Sequence, residues 1–210
     1  KASFKGVPMW KLRRIPEVSE ERLSFMEPGD DLQVLTVAVN FAEVWLAKEG
    51  HSGKVGINYL RKIERPIPWN LYGAMLAGVD YVVMGAGSPS ELPGMIERFS
   101  RGEPASLPLR VYGSDPKGVS YGVLARPEKL LGGKAPPLDK PRSLAIVSSF
   151  GLANLLAGDP VTRPYGFIIE GPEAGGHNAP PGKKSFDANR RQTVVYTAED
   201  RADVGAIASL

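Results

Sequence analysis

Four times along the chain a short apolar run gives way to a loop and then to a helical stretch. The runs lie at residues 55–60, 81–84, 144–148 and 165–170. Runs such as 81–84, apolar throughout rather than alternating, suit strands covered on both faces, and repeated βα units join parallel strands through right-handed crossovers. The pattern therefore predicts an α/β fold with a parallel sheet, either closed into a barrel or doubly wound. In both, a ligand sits at the C-terminal ends of the strands.

Helices are expected at 69–77, 91–100, 151–156 and from 203 onward. A further one begins at Asp30 or Asp31 and carries a stripe of Leu32, Leu35, Val39, Ala42 and Leu46, closed by Gly50. The β-branched residues of 34–39 also suit a strand, but a stripe of about four turns favours helix. With 24 glycines and 19 prolines among 210 residues, the chain is heavily punctuated by turns. Residues 1–29 read as an irregular lead-in with a short helix near 19–25. Residues 102–142 read as a long Gly/Pro-rich insertion with short strands near 107–112 and 121–124, of the kind that often serves as a lid. Residues 1–210 are taken as a single domain, shorter than the roughly 250 residues of a complete eight-stranded barrel.

Composition removes several chemistries. The chain has no cysteine and only two histidines, His51 and His177, so disulfides, thiolate clusters, a cysteine nucleophile and a histidine-rich zinc site are not expected. No metal site is assigned. A net charge of +3 is spread thinly, without a nucleic-acid motif, and no apolar run is long enough to span a bilayer. Neither nucleic acid nor membrane is an expected partner. No secretory signal is recognisable and a cytoplasmic location is expected. The chain opens on Lys1 rather than methionine, which reads as a piece of a longer polypeptide.

The segment richest in chemistry is residues 167–181. It places Gly175, Gly176 and His177 shortly after an apolar strand. Adjacent glycines let backbone amides come close to a ligand. An imidazole at a strand mouth takes up a proton near neutral pH, as a general base must. On the residues alone, His177 is either that base or an ordinary turn histidine.

The run Glu173-Ala174-Gly175-Gly176-His177 resembles the signature of the nitronate monooxygenase family, FMN enzymes built on a TIM (β/α)8 barrel. Residues 55–58 look like the family's third strand, residues 73–80 with 84–87 like its fourth unit, and residues 146–149 like its fifth. The likeness covers most of residues 30–210. It implies the central units of the barrel, about strands 3 to 6. By the same resemblance Asn58, Glu170, Gly175 and Gly176 contact FMN, and His177 is the catalytic base for a small nitro compound, which O2 converts to a carbonyl compound and nitrite. A homo-oligomer is left open.

Two departures carry expectations of their own. Many members have glutamine where Glu170 stands, whereas the related FMN-dependent enoyl reductases that use NAD(P)H carry a glutamate there. That makes the reductase the alternative activity, and a truncated non-catalytic fragment is the other. Asn178 stands where the best-known members have arginine. The family's first strands and its phosphate-holding loops have no counterpart here, so the 210-residue chain alone is expected to bind FMN weakly or not at all.

Away from this segment the residues read as structural. His51 suits a helix C-terminus, Trp45 and Trp69 suit the core, Glu43 and Lys48 face solvent, and Asp80 ends a helix-to-strand loop.

Overall fold

The computed structural model describes residues 23–25, 27–111, 120–174, 183 and 185–210. In chain order these form β1 (Leu23–Phe25), α1 (Asp30–Lys48), β2 (Gly56–Leu60), α2 (Ile67–Leu76), β3 (Tyr81–Gly85) and α3 (Leu92–Ser100). There follow β4 (Ala105–Leu109), β5 (Ser120–Ala125), α4 (Pro127–Leu131), β6 (Arg142–Val147), α5 (Phe150–Ala157) and β7 (Gly166–Ile169). The short strands β8 (Ser185–Phe186) and β9 (Gln192–Thr193) and the helix α6 (Val204–Ala208) complete the described part. The fold is mixed α/β. Its centre is a four-stranded parallel sheet in the order β2-β3-β6-β7.

That order is the order of the sequence. Within this sheet neighbours follow chain order, with β4 and β5 inserted between β3 and β6, and right-handed crossovers then put every connecting helix on the same face of the sheet. Burial follows this rule. Tyr59, Val82, Met84, Ala145 and Val147 point to the helical side and are buried. Two apolar clusters form there, one with α2 and α3 and one around Leu152, Ala153, Leu156 and Ile207. The residues between them on the strands, Asn58, Leu60, Val83, Leu144, Ile146 and Ile168, lie on the other face and are half-buried or exposed.

The four apolar runs correspond to these four strands within one or two residues, and helices α2, α3 and α5 fall where expected. Helix α1 also forms as predicted, but its stripe points the other way. Leu32, Leu35, Val39, Ala42 and Leu46 are exposed, while Gln33 and Val44 are buried. Trp45, expected in the core, is 55% exposed, whereas Trp69 is buried completely. The docking of α1 on α2 explains the choice of face. Gly73 of α2 lies directly under the Val37 carbonyl, where a Cβ would overlap it, and Asn40 donates to the Asn70 side chain at 3.0 Å. Lys48 is not a solvent-facing charge either: it donates to the Gly78 carbonyl and to Asp80.

The lead-in and the Gly/Pro-rich stretch also differ from expectation. Residues 23–25, expected at the end of a short helix, are strand β1, and residues 19–22 lie outside the described residues. β1 pairs in parallel with β5, which pairs antiparallel with β4, giving a second, three-stranded sheet. The two strands expected within 102–142 are thus β4 and β5, displaced by up to three residues. They reach the main core because Ala105, Leu107, Val123 and Ala125 turn inward to meet α2 and α3.

Candidate functional site

The C-terminal ends of the strands are built from Leu60-Arg61, Gly85-Ala86-Gly87, Ser148-Ser149 and Glu170-Gly171. At the second of these the backbone turns sharply, with Ala86 at φ 54° and Gly87 at φ 145°. Gly87 has no room for a side chain, since a Cβ would come within 2.9 Å of Arg61 Cγ. Arg61 itself is only 5% exposed. Its guanidinium bonds Glu64 at 2.6 Å and Glu91 at 3.2 Å, and reaches the Pro108 carbonyl. Glu64 in turn accepts from the backbone N–H of Arg110. One buried arginine therefore ties the ends of β2, β3 and β4 together.

No sequence signal marked that cluster. Its partners lie up to 47 residues apart, and neither carboxylate stands in a motif.

Asn58 lies in the middle of β2, paired with Val83, and its side chain is exposed on the open face. Glu170 directly follows β7, and its N–H extends the ladder by donating to Val147 O at 2.8 Å. The period-two alternation of a strand then gives Glu170 the same face as Gly166 and Ile168. Asn58 and Glu170 therefore share the open face. They do so from opposite edge strands, three spacings or roughly 14 Å apart along the sheet. Gly175, Gly176 and His177 lie outside the described residues, as does Asn178.

At the opposite end of the strands Arg142 meets two aromatic rings. Arg142 stacks on Tyr165 at 4.5 Å, lies 5.8 Å from the Tyr81 ring centre, and donates to the Tyr81 hydroxyl. Leu60, Ile168 and the Ala86-Gly87 turn lie at the C-terminal end of the strands.

For a flavin the described residues offer a partial fit. An exposed carboxamide that both donates and accepts suits a ring edge. The half-open apolar rows of Val83, Leu144 and Ile146 suit a planar aromatic face. Arg61 is fully engaged with two carboxylates and does not supply a phosphate contact. Among the described residues no group of three or more His, Cys, Asp or Glu side chains is placed to hold a metal ion.

Besides Trp45 and Lys48, which depart from expectation, Asp80 and His51 keep structural roles. Asp80 accepts from Lys54 at 2.8 Å, from Lys48 and from the Val55 N–H. His51 folds back on its helix, with Nε2 2.7 Å from the Ala47 carbonyl and Nδ1 accepting from Gly53 N–H. The ring thus caps the end of its own helix.

Among the described residues no helix is long and apolar enough to cross a membrane. No protein-family profile, curated protein or solved structure matches the chain.

Proposed function

We propose that the chain forms the central units of a TIM-barrel flavoprotein, an FMN-dependent nitronate monooxygenase, with the cofactor across the strand mouths. The observation that supports this reading is the strand order with its one-sided helices. A doubly wound sheet reverses its order and is covered on both faces, whereas an arc of a barrel keeps sequence order and faces inward on one side. The open face, with Asn58 and Glu170 on it, is the inward side in this reading.

The roles follow from the chemistry of the side chains. Asn58 donates to and accepts from the ring edge. Gly175 and Gly176 let the backbone lie close to the cofactor. Glu170 stands at the mouth of β7. His177 removes the proton from the carbon that bears the nitro group, a task for which an imidazole titrating near neutrality is suited. Bound FMN supplies the electron chemistry, with O2 as the oxidant and a carbonyl compound and nitrite as products.

The test is a steady-state assay with FMN supplied, on a polypeptide that carries these residues in a closed barrel. Nitrite release from a primary nitroalkane, abolished by His177→Asn, is the expected result. Nitrite release unchanged by His177→Asn removes that residue from the base's role. NAD(P)H consumption with an enoyl thioester and no nitrite assigns the chain to the reductases instead.

A further inference from the structure

Two ion pairs converge on one turn. A single turn of 3₁₀ helix, Ala198–Asp200, follows β9, with Arg201 at its end. The Arg201 guanidinium bonds Glu173, 28 residues earlier, and Glu199 accepts from Lys183 Nζ at 2.6 Å. Glu173 and Lys183 stand on either side of residues 174–182, the stretch that contains Gly175, Gly176 and His177. Both flanks of that stretch are therefore tied to residues 198–201.

The turn is built to hold them. Thr197 closes it locally: its N–H donates to Asp200 at 2.7 Å and its hydroxyl does so at 3.1 Å, while the Asp200 N–H returns to the Thr197 carbonyl. Next in the chain, Ala202 packs against the apolar cluster of Leu152, Ala153, Leu156 and Ile207 on the helical side of the sheet. Asp203 then caps α6 by accepting from Ala206 N–H at 2.9 Å. Arg201 thus stands beside a packed anchor. The near flank is short as well. Glu173 follows β7 closely, and the Ala174 N–H closes a turn on the Gly171 carbonyl. The two sides do not meet flush: Pro172 and Glu173 share a cleft of about 640 Å³ with Tyr196, Thr197, Ala198 and Arg201. The Glu173–Arg201 pair joins one side of that cleft to the other.

We propose that residues 198–201 form a clasp that anchors both flanks of residues 174–182 at the mouth of β7. Each pair is exposed, at 70% and 65% for Arg201 and Glu173 and at 78% and 71% for Lys183 and Glu199. One such pair is worth only about threefold in the equilibrium for local opening, and two acting on one segment about tenfold. Adjacent glycines widen the freedom of a chain whose ends are loose, and fixing the ends removes part of that freedom before a ligand arrives. That the anchored stretch carries a base for nitro compounds rests on the flavin reading. The clasp itself does not.

The test is hydrogen–deuterium exchange of the 210-residue chain, followed on peptides covering residues 171–184 and, as a reference, β6 and β7. Arg201→Met and Glu199→Gln each speed exchange in 171–184 by about threefold, and the two together by about tenfold. The swapped pair Glu173→Arg/Arg201→Glu restores the protection that Arg201→Met loses. Raising NaCl from about 0.02 M to about 1 M screens exposed charges. It speeds exchange in the unsubstituted chain and leaves the Arg201→Met/Glu199→Gln variant unchanged. All these side chains are in water, so β6 and β7 keep their rates. Exchange in 171–184 at the unprotected rate in the unsubstituted chain overturns the proposal, as do rates that none of the substitutions alters. Protection that the swapped pair fails to restore also overturns it, because the contact is then packing and not charge. A loss that extends to β6 and β7 does the same, since the turn then supports the sheet rather than the segment. No flavin or turnover enters this measurement, so a failure of the flavin reading, seen as absence of nitrite in its own assay, leaves the outcome unaffected.

Discussion

The indole N–H of Trp69 donates to the side-chain oxygen of Gln33 at 3.0 Å, and both residues are buried. The amide nitrogen of Gln33 donates to the Pro28 carbonyl at 2.8 Å. A glutamine thus occupies the inward side of α1 because it satisfies the buried indole N–H. Gln33→Leu leaves that donor without a partner, and the expected cost is about 2 kcal/mol. Urea denaturation followed by tryptophan emission measures it.

Gly73 has a different task. Its hydrogen faces the Val37 carbonyl, and any side chain there pushes α1 off α2. Gly73→Ala is expected to lower stability by about 2 kcal/mol despite alanine's better helix propensity. Thermal unfolding of the variant checks it. An unchanged or raised melting temperature contradicts the close approach.

Arg61 holds two carboxylates at the strand mouths. Arg61→Met keeps most of the volume but leaves Glu64 and Glu91 without their shared partner, with an expected loss of about 3 kcal/mol. Adding Glu91→Gln to that variant recovers part of the loss. Recovery separates a charge effect from a packing effect, and chemical denaturation of the three variants reads it.

Asp80 sets a pH dependence. The Lys54 hydrogen bond, with the Val55 N–H and Lys48, holds its carboxyl well below the usual carboxylate range. A folded-state value below the unfolded one contributes stability above the unfolded value, and that contribution is lost as pH falls. Stability should therefore decline below about pH 4. Asp80→Asn is expected to be less stable at pH 7 and to show a shallower decline in acid. Denaturation midpoints measured across the acid range decide the matter.

Asn58 separates site from scaffold. It is exposed on the open face, so Asn58→Ala should change stability by no more than about 0.5 kcal/mol. Under the proposed role of Asn58 at a flavin ring edge, the same change weakens FMN by about tenfold, the loss of one good hydrogen bond. Fluorescence titration with FMN measures the second effect and denaturation the first.

The strands were legible because a run such as Tyr81–Gly85, flanked by glycines and walled by helical periods, has few alternatives. The direction of α1 was not. Periodicity states which side chains share a side, and here the inward side is the more polar one, made acceptable by partners far away in sequence. Tyr59 hydroxyl donates to Asn40, and Asn40 donates to Asn70. Each residue alone reads as a surface group. Arg61 was hidden for the same reason: Glu91 belongs to another loop, and Glu64, though close in sequence, stands in no motif. Asn58 and Glu170 followed from resemblance, and alternation along β2 and β7 gives them a common face. For Gly175, Gly176 and His177 the resemblance still stands alone.

The central sheet also has a consequence for biogenesis. Pairs β2–β3 and β6–β7 form in the order of synthesis, each βα unit settling on the one just made, whereas β3 waits for β6 across the inserted β4 and β5. Among the described residues β7 pairs with β6 alone, so its other backbone edge forms a rim of the central sheet. During translation that rim is the position most in need of a chaperone or of the next strand to emerge.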